Sequence, residues 1–212
     1  MPPKQKSQLE RQQARTRILD AARELFVEHG VDAVTMREIA KRLDCSATAL
    51  YLHFRDKDSL IRELCDTDFL ALAQELHAME QITDPIERLR MLGIGYARFA
   101  LTFPNHYRLM FMTPQLAYSK ENSGIEPGNA EQDAYAFLQA VVVNAHSAGC
   151  FRDELNDPEL IAQILWSGIH GLCALEITMQ SCDWLEWRPF EQRLEVMQDS
   201  LMRGMLKAPS HG

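Results

Sequence analysis

Apolar side chains recur three and four positions apart along almost the whole chain, and strict alternation is nowhere sustained, so helices are the regular element this sequence supports. No Asn-Gly or Asp-Gly step lies between alternating runs to close a hairpin. An all-α fold follows, and capping residues mark its helices. Ser7 with Glu10 forms a capping box and Gly30 a left-handed stop, bracketing a first helix whose stripe is Ala14, Ile18, Ala22, Leu25 and Phe26. Thr35 with Glu38 opens a short second helix that buries Met36, Ile39, Ala40 and Leu43, and Asp44 interrupts it. Ser46 caps the run SATALYLHF, and Asp56 caps a longer helix from about 57 to 81. Downstream, Asp84-Pro85-Ile86-Glu87 starts a helix that Pro104 ends or kinks, and residues 113–129 read as a surface loop. Three further helices are expected at about 130–148, 158–181 and 189–206.

At 212 residues the chain has room for one large domain or a small one followed by a larger. Its net charge of −8 opposes binding to a polyanion, but the charge is uneven. Residues 1–60 carry +2, from 11 basic and 9 acidic side chains, and residues 61–212 carry −10. A basic head on an acidic body fits this distribution, and so does a solvated N-terminal tail. The five cysteines are odd in number, widely spaced and without a CxxC pair, which points to reduced thiols rather than disulfides or zinc. No uninterrupted apolar run approaches the ~18 residues of a membrane span and the N-terminal residues lack the apolar core of a secretory signal, so a cytoplasmic, non-membrane protein is expected.

Two short helices separated by a turn of about three residues have the spacing that places the second in a major groove. The stretch TMREIAKRLDCSATALYLHFRDKDSL resembles the DNA-binding domain of TetR-family regulators, whose Y-x-H-F-x-x-K signature stands here as Tyr51, His53, Phe54 and Lys57. The likeness runs through residues 11–64. Asp44 and Cys45 stand where the family commonly has Gly and Val. Asp tolerates positive φ and Cys is small and apolar, so both fit the turn. The resemblance implies a basic arm at 1–10, a three-helix head at 11–60, and a helical effector-binding and dimerisation domain at 61–212. Thr35 would contact phosphate, act as a cap, or do both. Arg37 reaches a guanine edge or stays solvated. Ser46, Ala47 and Thr48 open the recognition helix, with Ala47 limited to a thymine methyl. Tyr51 and His53 would touch DNA from that helix's exposed face, Lys57 would clamp a phosphate, and Leu50 and Phe54 would be core. Arg11, Arg15 and Arg17 are further candidates for phosphates or a minor groove, with Lys41 and Arg55 weaker ones.

The C-terminal runs GYARFALTFPNHYRLMFM and LWSGIHGLCALE resemble the subgroup of that family named for a Trp-His-Gly pattern, matched by Trp166, His170 and Gly171. Phe99, Phe103, Tyr107, Met110 and Phe111 cluster around Pro104, as an apolar effector pocket or as plain core. Trp166, His170, Cys173 and Ile177 share one helix face, where His170 would bond a ligand or be satisfied internally. Gly168 and Gly171 would admit another helix closely, so the last two helices are expected to form a two-fold interface. The resemblance implies a homodimeric repressor of a palindromic operator, released by a small-molecule effector and needing no cofactor or metal. An enzyme is the rival class, yet HExxH, GxSxG and phosphate-binding glycine loops are missing. A redox sensor built on Cys173 or Cys182 is a second rival, and a helical interaction protein that no longer binds DNA a third.

Overall fold

The computed structural model describes residues 3–112 and 124–208. Among these residues it has helices α1 (Pro3–His29), α2 (Met36–Arg42), α3 (Ala47–Tyr51), α4 (Lys57–His77), α5 (Pro85–Thr102), α6 (Pro104–Phe111), α7 (Ala134–Ser147), α8 (Pro158–Met179) and α9 (Phe190–Met205). Their only strand-like feature is an isolated bridge between Phe151 and Leu206. Most of the helix limits follow from caps read in the sequence. Asp84, Asp133 and Asp157 each accept backbone N–H groups of the first turn of α5, α7 and α8. Gly30 and Gly149 take φ of 84° and 71° after α1 and α7, the left-handed exits that glycine makes cheap.

The expected limits move in several places. α1 begins at Pro3, so Ser7 lies inside it and residues 3–10, expected as an arm, are its first turns. The Gln, Lys, Leu and Glu residues there are good helix formers, and Pro3 occupies the first helical position, where its missing N–H is harmless. α3 stops at Tyr51 rather than running through Phe54, and α4 ends at His77 in tight turns that bond Met79 and Glu80 to Leu76 and His77. Asp133 delays α7 to Ala134. Pro104 starts α6 after a break at Phe103. Most of the loop expected at 113–129 lies outside the described residues.

Two compact units result. The first comprises Met1–Asp68 and Asn105–Gly124, and the second Phe69–Pro104 and Ile125–Gly212. This differs from a division at residue 60, because the first half of α4 and all but the first residue of α6 pack with the N-terminal helices. In the first unit Ile18, Ala22 and Phe26 of α1, Ile39 and Ala40 of α2, Leu50, Phe54 and Leu60 are buried. In the second, α5, α7, α8 and α9 pack on one another through Leu92, Ala100, Val142, Ile161, Cys173 and Met202. α8 is long and apolar enough by length and composition to cross a membrane. Its buried residues, among them Ile161, Ala162 and Ile169, serve this four-helix packing, and Gln163, Ser167, His170 and Glu176 interrupt it. Gly168 and Gly171 have different surroundings: a Cβ at Gly168 would meet Leu201 Cδ1 of α9 at 2.6 Å, whereas one at Gly171 would meet nothing within 4 Å. Gly168 therefore serves packing within the chain.

Candidate nucleic-acid interface

α2 is fixed at its start by a complete capping box. Thr35 Oγ1 accepts the Glu38 N–H at 3.3 Å, and the Glu38 carboxylate accepts the Thr35 N–H at 2.6 Å and its hydroxyl at 2.8 Å. These bonds from Thr35 hold the Glu38 carboxyl below its ordinary range. Asp44 then takes φ of 52°, the one positive φ outside glycine among the described residues, and the Cys45 N–H bonds the Ala40 carbonyl at 3.0 Å. That reversal lets Ser46 begin α3, its Oγ accepting the Ala49 N–H at 3.3 Å. Leu50 and Phe54 face inward, and Thr48, Tyr51 and Leu52 face out. Because a left-handed Asp is strained where Gly is not, Asp44→Gly should raise thermal stability by about 0.5 kcal/mol, net of the entropy glycine gains unfolded. A lower melting temperature for that variant would show the turn is held by the Asp side chain instead.

The exposed surface gathers Arg37 and Ala47 with Lys41, Asp44 and Cys45 around a shallow depression of about 460 Å³ between α2 and α3. Beyond it Tyr51 and Leu52 are 52% and 72% exposed. Leu52 is not among the residues expected at DNA, although its spacing of four from Thr48 places it on the same helix face. Three expected contacts lie elsewhere. His53 falls past the end of α3 and is half-buried, and its Nδ1 is enclosed without a hydrogen-bond partner among the described residues. Burial, then the charges of Arg15 and Arg11, lower its pKa, so the ring is neutral near pH 7. Lys57 turns inward, donating to the Val31 carbonyl and lying 5.9 Å from the Phe26 ring centre. Arg15 pairs with Glu63, donates to the His53 carbonyl at 2.6 Å and sits 4.5 Å over Phe54. Arg55 pairs with Asp56, whose side chain caps α4 through the Ser59 N–H. Arg11, Arg17, Arg37 and Lys41 remain exposed.

In the second unit, Trp166 Nε1 donates to Tyr96 Oη at 3.2 Å, and that hydroxyl lies 2.9 Å from His170 Nδ1. Indole can only donate, so the coherent chain runs Trp166 N–H to Tyr96 O–H to His170 Nδ1, leaving the imidazole proton on Nε2. Burial lowers the His170 pKa and keeps this ring neutral. Tyr135 packs on Trp166 with ring centres 5.6 Å apart and donates to Glu159, which also accepts from Gln139 and Gln163. Tyr96→Phe would deprive two part-buried polar atoms of one partner each. Unfolding free energy should fall by about 1–3 kcal/mol, measured by denaturant titration, with no change in folded helix content.

Phe99 and Phe103 belong to this unit, their ring centres 5.5 Å apart, whereas Tyr107, Met110 and Phe111 belong to the first. A concavity of about 550 Å³ in the second unit, lined by His77, Arg88, Phe137, Val141 and Asn144 among others, includes none of the expected ligand residues. Burial pushes the Cys173 thiol up to about 12, which leaves it protonated and weakens its case as a redox sensor.

Residues 18–64 match the family model of bacterial regulatory proteins of the tetR family, and residues 89–201 match that of the tetracyclin repressor-like C-terminal domain. Over 85 residues the chain is 36% identical to the HTH-type transcriptional regulator UidR of Escherichia coli, covering 40% of each chain. It thus spans less than half the length of that relative. Over 161 residues it is 28% identical to the HTH-type transcriptional regulator QacR of Staphylococcus aureus, covering 74% of this chain and 82% of the other. The solved structure of the ketosteroid transcriptional regulator KstR2 of Mycobacterium tuberculosis superposes with a TM-score of 0.69 at 20% identity, over 92% of this chain and 96% of that one, which shows a shared fold.

Proposed function

Since this chain belongs to the TetR family of transcriptional regulators, we propose that it is a homodimeric repressor that binds a palindromic operator and is released by a small-molecule effector. The reading rests chiefly on one observation: two capped helices, turned by a left-handed Asp44, leave Thr48, Tyr51 and Leu52 outward on α3 with Arg37 and Lys41 beside them. In this reading Arg37, Thr48 and Tyr51 meet base edges. The N-termini of α2 and α3, with Thr35 and Ser46, lie along phosphates, and Ala47 faces a thymine methyl. His53 and Lys57 serve DNA indirectly, by holding the end of α3 and the loop after α1.

We place effector binding and dimerisation in the second unit. The aromatic side chains of Trp166, Tyr96 and His170, gathered by hydrogen bonds on neighbouring helices, suit a ligand with an apolar body. The open side of Gly171, together with α9, suits the two-fold contact between subunits. An effector that releases DNA must bind the DNA-incompetent state more tightly, and DNA must weaken effector binding by the same factor. A mobility-shift titration against the duplex upstream of the gene, with sedimentation of the complex, tests the proposal. Two protomers per duplex are expected, with half-sites about one helical turn apart. Binding indifferent to duplex sequence would refute it.

A further inference from the structure

The buried charged side chains among the described residues are Arg23 of α1 and Asp68 of α4, and they form one assembly with His106 of α6. The Arg23 guanidinium donates twice to Asp68, Nε to Oδ2 at 3.1 Å and Nη2 to Oδ1 at 2.8 Å, and its Nη1 reaches Asp20 at 2.8 Å. His106 Nδ1 lies 2.9 Å from Asp68 Oδ1. Asp68 is wholly removed from solvent, so its charge depends on these partners, and each partner ties a different helix to it. The same two helices, α1 and α4, are cross-linked one level nearer the reading surface by Arg15 and Glu63, and Arg15 also bonds the His53 carbonyl just after α3. Lys57 at the head of α4 bonds Val31 after α1.

We infer that His106 is a positioning residue of the DNA-reading head, fastening α6 to the α1–α4 pair through the buried Asp68 carboxylate. α2 packs on α1 and α3 on α2, and Arg15 ties α1 to the end of α3 and to Glu63 of α4, so a change in how α6 meets Asp68 reaches the setting of α2 and α3 through α1. The residue types around the contact fit this role. Arg23 and Asp20 back Asp68 from α1. Cys65, one turn earlier on α4, has its thiol pushed up to about 11 by burial and the neighbouring Asp68 and Asp66, so it adds no charge. Arg108, on α6 itself, reaches Asn105. The consequence for DNA rests on reading α2 and α3 as the operator-contacting surface, whereas the fastening itself does not.

The test uses the full chain with His106→Leu, which removes the imidazole that stands 2.9 Å from Asp68 Oδ1, and His106→Asn, whose amide nitrogen can stand where Nδ1 stands. Val142→Ala, in the buried packing of α7, serves as a destabilised control remote from the head. At a temperature where all are folded, affinity for the upstream duplex should fall about tenfold in His106→Leu, stay within about threefold in His106→Asn and remain unchanged in Val142→Ala. Amide hydrogen exchange should quicken about tenfold through α1 and α2 as well as α6 in His106→Leu alone. Wild-type affinity in His106→Leu, equal loss in His106→Asn, or faster exchange confined to α6 would each overturn the inference. If the wild-type protein bound no duplex, the regulator proposal would fail separately and the exchange pattern would decide this one.

Discussion

Replacing Arg23 by alanine should lower the unfolding free energy by about 3–5 kcal/mol, the largest single effect expected on the stability of the N-terminal unit. The substitution removes a buried guanidinium and leaves the Asp68 carboxylate, itself without solvent contact, to lose two hydrogen bonds at once. Replacing both partners by apolar residues of similar volume, Arg23→Met with Asp68→Leu, should cost much less than Arg23→Ala alone, since no charge is then buried without a counterpart. Denaturant unfolding of the two variants checks both statements. A cost below about 1 kcal/mol for Arg23→Ala would mean that water reaches Asp68 once the guanidinium is gone.

The largest functional effect should come from the exposed face of α3 and its neighbour on α2. Arg37→Ala combined with Tyr51→Ala removes a cation able to hold a guanine edge and the largest side chain on the reading surface. Each base contact of this kind contributes about 1–2 kcal/mol, toward the low end of such contacts because only Arg37 can bond bidentately, so the pair should weaken operator binding by roughly 30- to 1000-fold without lowering the melting temperature, both residues being exposed. The same pair should leave affinity for unrelated DNA within about tenfold of wild type, because phosphate contacts from the helix N-termini and the remaining cations persist. Titrations by fluorescence anisotropy at fixed salt separate the two quantities. Equal losses on operator and unrelated duplex would mark Arg37 as a phosphate contact only.

The head was legible in the sequence because its construction is local. Thr35 and Glu38, Ser46, and Asp56 announce their caps within three or four residues. Asp44 announces its left-handed turn by standing at the point where the short helix must reverse. The apolar spacing of Ile39, Ala40, Leu50 and Phe54 identified the inward face correctly. What escaped notice depends on partners far along the chain. Arg15 and Lys57 look like free cations until Glu63, His53 and Val31 are brought beside them, and nothing in helical periodicity predicts such pairings. Helix α6 shows the same limit: its apolar residues Tyr107 and Met110 read as part of an effector cluster, but they are buried in the first unit, where His106 comes within 2.9 Å of Asp68, 38 positions away. In the second unit the face bearing Trp166 and His170 was visible from spacing. Tyr96, which joins them, was not, because a hydroxyl on a neighbouring helix leaves no mark in either helix's own pattern.

These pairings sharpen the account of DNA binding. With Arg15, Arg23 and Lys57 engaged inside the unit, those three cations are withdrawn from phosphates, and in the proposed reading specificity rests on α3 and Arg37. The most direct test is the ratio of dissociation constants for the operator duplex and a scrambled duplex of equal length, measured at one salt concentration for wild type and for Tyr51→Ala. The account predicts a ratio of about 1000 or more for wild type that collapses by at least tenfold in the variant. A ratio near one for wild type, or one that Tyr51→Ala leaves untouched, would contradict it.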